Sequence, residues 1–136
     1  MRIAVTTPTG HVGRHVVAML VRAGVRPLAL ARTPEHLDPA IRAEVDTVVV
    51  DQHDPDAVAA ATAGVHALFW VDPTPTSADP LAEYDLASRS VARALRENGV
   101  ARTVFQSSVG AEQRSGRGRS TVWPAPRKRS TPLGSR

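Results

Sequence analysis

MRIAVTTPTGHVGRHVVAMLVRAGVRPLALAR, residues 1–32, is the stretch whose reading decides the fold. Arg2-Ile3-Ala4-Val5-Thr6 is short, apolar and β-leaning, and it runs directly into a turn carrying Gly10 and Gly13. Beyond the turn, Val12, Val16, Leu20 and Ala23 recur at helical spacing, and Gly24 supplies a C-terminal stop. A second apolar run, Pro27 to Ala31, completes a β-α-β unit. In such a unit the turn after the first strand presents free backbone N–H groups and the positive end of a helix dipole, where an anion can sit. The expectation is a nucleotide-binding half-domain.

The turn is weaker evidence alone than in its setting. The dinucleotide-binding pattern is G-x-x-G-x-x-G, and this chain reads Thr7-Pro8-Thr9-Gly10-His11-Val12-Gly13, with threonine at the first glycine position. Gly10 by itself could simply reverse the chain between any strand and helix. The flanking strand, helix and second strand narrow that choice. A β-branched residue resists positive φ, so Thr7 is expected to be extended, with its hydroxyl helping to hold the loop.

The chain has 136 residues, enough for one domain with one core. It has no cysteine, which excludes disulfides and thiolate metal sites and suits a reducing cytoplasm. Met1 is followed at once by a strand, unlike a signal peptide, and no run is long enough to cross a bilayer. The net charge of +4 hides two halves. Residues 1–112 hold ten Arg against thirteen acids, a balance of −3, whereas 113–136 hold six Arg and one Lys with no acid, +7. The body is therefore mildly acidic, which argues against nucleic acid as its partner.

Further along, Thr33-Pro34-Glu35 reads as a helix start, with Pro39 interrupting the helix before Ala43. Val45 to Val50 is a β-branched strand, Asp54-Pro55 opens a helix stopped by Gly64, and Val65 to Val71 is an apolar run suited to a parallel strand covered on both faces. Asp72 to Ser77 is a loop, and Asp79-Pro80 opens a longer helix to Asn98, with Leu81, Leu86, Val91 and Leu95 near one side and Gly99 at its end. Thr103 to Ser107 is a fifth strand. Five alternations of strand and helix predict an α/β doubly wound parallel sheet, Rossmann-like, in order 3-2-1-4-5. Its crevice would be lined by Thr7 to Gly13, by Val71-Asp72-Pro73 and by Ser107-Ser108.

With these residues in place, the chain resembles the NmrA-like branch of the atypical short-chain dehydrogenase/reductase family. The resemblance runs from Met1 to about Arg114 and is carried jointly by the TPTGHVG turn, Leu30-Ala31-Arg32, Val50 to Asp54, Ala63 to Phe69 and Phe105 to Ala111. It implies an NAD(P)H-binding protein: an oxidoreductase acting on a quinone or carbonyl, a non-catalytic NADP(H)-sensing regulator, or an inactive truncated fragment. It also implies roles for residues. Thr7, Thr9, Gly10, His11, Val12 and Gly13 would form the pyrophosphate turn. Arg32 would meet the 2′-phosphate, which tips the cofactor toward NADP(H) over NAD(H), although it could equally be a surface arginine at a strand end. Asp51 and Gln52 would lie beside the adenine, unless Asp51 merely prepares the next helix. Val71, Asp72 and Pro73 would pass near the ribose and nicotinamide, and Ser107 or Ser108 could fill the family's serine place.

Departures from the family accompany these matches. Hydride-transferring members of the wider family use Ser, Tyr and Lys, with Tyr-x-x-x-Lys after the fifth strand. Here the one tyrosine is Tyr84 and the one lysine Lys128, so that motif is missing and no catalytic residue is assigned. His11 and His15 are four apart, but no third ligand follows and no metal is assigned. The expected division is a dinucleotide-binding domain over 1–112 and a basic Arg/Pro/Ser-rich tail over 113–136. The tail could be a solvated extension or touch an anionic partner through Arg127-Lys128-Arg129. The abrupt change after Arg114 is also what a shifted reading frame produces, which reading the gene one base over past that codon checks. On that view the family fold is truncated, leaving an apolar strand-five edge prone to self-association.

Overall fold

A computed structural model describes residues 1–106. Strands β1 (Ile3–Thr6), β2 (Leu28–Ala31), β3 (Asp46–Val49), β4 (Ala67–Trp70) and β5 (Arg102–Phe105) form one sheet in the order β3-β2-β1-β4-β5. Every pairing is parallel, with Thr6 opposite Leu30 and Val5 opposite Phe69. The doubly wound architecture expected from the alternation is therefore the one observed. Crossovers are made by α1 (Gly13–Arg22), α2 (Pro39–Arg42), α3 (Pro55–Ala61) and α4 (Pro80–Asn98), with a 3-10 turn at Pro34–His36 ahead of α2. Residues 107–136, which include Ser107 and the basic tail, lie outside the described residues.

Three of the four helices start by one device. Asp38, Asp54 and Asp79 each stand at the N-cap with a side-chain oxygen accepting from backbone amides of the first turn, and each is followed by proline. Pro39, expected to interrupt a helix begun at Thr33, instead opens α2 after a separate 3-10 turn. The helix α4 stops at Gly99, whose φ of 58° is left-handed and cheap for glycine.

Two apolar layers sandwich the sheet. One face packs Ala4, Leu28, Leu30, Leu68 and Trp70 against Val58 of α3 and Ala87, Val91 and Ala94 of α4. The other packs Val5 and Ala29 against Val17 of α1, with Leu37 and Val45 closing the end. The seam of α4 differs from the leucine pattern expected of it. Tyr84, Ala87, Ser90, Val91 and Ala94 are buried, whereas Leu81 is 60% and Leu86 39% exposed. Small residues let α3 and α4 approach closely, and Asn98 Nδ2 then reaches Ala59 O (2.9 Å) and Thr62 Oγ1 (2.8 Å) across the joint. Arg93 adds an ion pair to Asp56. In α1 the buried positions are Gly13 and Val17, with Val16 and Leu20 flanking them; Val12 is exposed. The covering of β4 is likewise uneven: Leu68 and Trp70 are buried, Ala67 and Phe69 half-buried. Beside it β5 ends the described sheet, and its Val104 is 59% exposed.

Candidate dinucleotide site

The sheet order places the carboxyl ends of β1 and β4 side by side with β2 on the other flank, and the turn from β1 into α1 lies over that point. Thr7 departs from the extended backbone expected of it. Its φ is 45°, left-handed although the residue is β-branched, so the turn imposes on threonine a conformation that glycine takes freely. The reason is local: Thr7 O accepts from Gly10 N at 3.0 Å and closes the loop. Gly13, in the first position of α1, presses on the same peptide. A Cβ on Gly13 would lie 2.1 Å from Thr7 O and 2.8 Å from Thr7 C, so only glycine lets the helix start this close to the strand. Gly10 is less constrained, with Thr7 O at 3.3 Å from a Cβ built there.

The N-terminus of α1 contrasts with the other helix starts. Val12 is its N-cap and offers no side-chain acceptor, and the first turn holds no acid. Among the described residues the amides of Thr9, His11, Val12 and Gly13 have no hydrogen-bond partner. Backbone donors left open at the positive end of a ten-residue helix are suited to an anion.

Around this turn the strand ends are tied together by polar groups buried beneath the crevice. Thr6 is fully buried; its Oγ1 accepts from Val71 N at 2.8 Å and lies 3.3 Å from the carbonyls of Phe69 and Val71. Gln52, also buried, donates from Nε2 to Val71 O at 2.9 Å, joining the turn after β3 to the end of β4. Gln52 and Val71 are thus bonded to each other across two strand ends. Trp70 is buried, and its indole N–H donates to Asp72 Oδ1 at 2.7 Å. Burial pushes the Asp72 carboxyl up to about 6, against the opposing pull of the Trp70 indole and the nearby His53.

Arg32 follows the last residue of β2, exposed, with no hydrogen bond or close ion pair among the described residues. Asp51 stands at the neighbouring strand end, brought there by Val50 N donating to Ala31 O at 3.1 Å. Partial burial raises the Asp51 carboxyl, but the His53 backbone and imidazole, with Arg32 beyond them, outweigh it and hold the carboxyl below its ordinary value. The structure therefore gathers Thr7 to Gly13, Arg32, Asp51, Gln52, Val71 and Asp72 along the carboxyl edge of one sheet.

Three contributors were not expected from the sequence: Thr6, His53 and Glu83. Glu83 accepts from Thr76 N, Ser77 N and Ser77 Oγ, and so ties the loop after β4 to the first turn of α4. The signal for Trp70 was available, because Trp70-x-Asp72 places both side chains on one side of an extended chain.

A model of an NAD(P)H-binding family matches residues 8–130. The chain belongs to that NAD(P)H-binding family. The match bears out the kinship expected from the glycine turn and its flanking strands, at the level of an NAD(P)H-binding Rossmann-like domain.

Solved structures agree on the fold. Triphenylmethane reductase from Citrobacter sp., complexed with NADP(H), superimposes with a TM-score of 0.72 at 22% identity over 94% of this chain and 44% of that one. An NADPH-dependent quinone oxidoreductase from Escherichia coli, complexed with NADPH, gives 0.69 at 22% over 93% of this chain and 43% of that one. Pen from Bacillus thuringiensis gives 0.75 at 15% over 90% and 42%. At these identities the likeness speaks for the fold alone. The chain spans between 37% and 63% of the length of the structures it matches. No match is found among curated proteins. No helix of the described residues is long and apolar enough to cross a membrane.

Proposed function

We propose that this chain is the NADP(H)-binding part of an oxidoreductase of the quinone- or carbonyl-reducing kind. The observation that carries the reading is the open, uncapped start of α1, pressed against β1 at Gly13, in a chain of the NAD(P)H-binding family. The amides of Thr9 to Gly13 hold the pyrophosphate. Thr7 closes that turn; Arg32, without a partner among the described residues, meets the 2′-phosphate; Asp51 accepts from the adenine; Val71 and Asp72 lie along the ribose and nicotinamide. The cofactor supplies hydride when bound, and the chain's own residues bind and orient it. Two structural neighbours named for NADP(H) or NADPH complexes support the choice of the phosphorylated dinucleotide.

Arg32→Ala tests the preference. Loss of a guanidinium–phosphate contact is expected to weaken NADPH by about ten- to a hundredfold and NADH by less than about threefold, read by titrating the dinucleotide's fluorescence. Equal weakening of both would remove the 2′-phosphate from the role of Arg32.

One observation favours a second reading, an NADP(H)-sensing regulator without turnover. The sequence has no Tyr-x-x-x-Lys, and its one tyrosine, Tyr84, is buried in α4. Product formation from quinones or carbonyls with NADPH separates the two, and binding without turnover selects the regulator.

A further inference from the structure

We propose that His53 is a positioning residue that orients the Asp51 carboxylate as the acceptor for the 6-amino group of the dinucleotide's adenine; this rests on the NADP(H) reading above. Asp51 Oδ1 receives two donors from the same residue, His53 N at 2.9 Å and His53 Nδ1 at 2.9 Å. An ionised carboxylate can only accept, so Nδ1 carries a proton. The two bonds fix the carboxylate from one side. They leave Asp51 Oδ2 without a partner among the described residues, on a side chain that is 53% exposed. A half-clamped, half-open carboxylate beside a strand end is built to accept one more hydrogen bond, and an exocyclic amine offers it.

The imidazole is itself held from behind. Its side chain is largely buried, and Nε2 is buried without a hydrogen-bond partner, 3.8 Å from Glu83 Oε1. That separation is too long for a hydrogen bond and short enough for a strong field. Glu83 cannot swing away, because Thr76 N, Ser77 N and Ser77 Oγ all donate to it. The ring therefore lies between Asp51, which it bonds, and Glu83, which the loop after β4 holds in place.

The test is a titration of the full chain with NADPH and with its deamino analogue, in which a carbonyl replaces the adenine amino group. The intact chain is expected to bind NADPH about tenfold more tightly than the analogue. His53→Phe keeps the ring's volume and deletes both nitrogens; it should weaken NADPH to the level of the analogue and leave the analogue's affinity unchanged. His53→Asn keeps a donor near the Nδ1 position and should restore most of the discrimination, and His53→Ala repeats the deletion without the ring. Equal weakening of both dinucleotides by His53→Phe and His53→Ala would overturn the positioning role and leave the NADP(H) reading standing. So would an intact chain that binds NADPH but does not discriminate. Binding of neither dinucleotide by the intact chain would overturn the NADP(H) reading and this proposal together.

Discussion

Gly13→Ala is expected to abolish detectable NADPH binding and to destabilise the domain by about 3 kcal/mol or more, a large share of the 5–15 kcal/mol that ordinarily separates folded from unfolded chains. The added carbon would meet Thr7 O at 2.1 Å and Thr7 C at 2.8 Å, and both are backbone atoms that no rotamer change can move. The clash is relieved only if α1 withdraws from β1. Withdrawal carries the open amides of His11, Val12 and Gly13 away from the crevice and loosens Val17 from Val5 and Ala29 on the sheet. Binding and stability thus fail together, because the same close approach serves both. For stability Gly10→Ala is the control: its nearest obstacle is at 3.3 Å, so a shift of a few tenths of an ångström suffices. Thermal melts and NADPH titrations of the two variants check the contrast. A Gly13→Ala protein with the melting temperature and affinity of the parent would show that the helix start is not where the structure puts it.

Asp72→Asn is expected to act in the opposite direction on stability, and only at neutral and higher pH. Burial raises the Asp72 carboxyl from an ordinary 3.8 to about 6, so the folded chain favours the protonated acid more than the unfolded chain does. That contribution is whole below about pH 4 and is lost as pH rises through about 6, where the carboxylate must be held ionised in a place that disfavours it. The loss is worth at most about 3 kcal/mol, and less where water reaches the side chain. Asparagine keeps an oxygen to accept from the Trp70 indole and has no charge to desolvate. The variant should match the parent near pH 4 and exceed it at pH 8 by about 2 kcal/mol, or roughly 10 °C in melting temperature. Parallel melting temperatures across that range would mean that Asp72 is freely solvated.

The fold was legible because its signals are local. Asp54 and Asp79 before proline announce helix starts by chemistry that needs no tertiary partner, and the β-branched run at 45–50 announces a strand. What was misread depends on packing. Leucine periodicity in α4 pointed to Leu81 and Leu86, but the approach of α3 selects the small residues Ala87, Ser90 and Ala94. Thr7 was assigned an extended backbone from its side chain alone; loop closure by Thr7 O onto Gly10 N overrides that preference.

The candidate site divides the same way. Its glycine turn and the basic residue just after β2 are contiguous with their strands and could be read directly. Thr6, His53 and Glu83 could not, nor could the bond by which Gln52 ties two strand ends, because each acts on a partner that only the sheet order brings near. Thr6 and Gln52 both meet Val71, which lies 65 and 19 residues away in sequence. His53 meets Glu83 across the joint between two crossovers. No spacing rule connects such pairs before the topology is known.

The most direct measurement of the central claim is an amide NMR titration of the chain with NADPH. Pyrophosphate on the start of α1 predicts saturable shifts of the Thr9, His11, Val12 and Gly13 amides, with Arg32 responding to NADPH and not to NADH. Saturation by NADPH with those four amides unmoved would contradict the account.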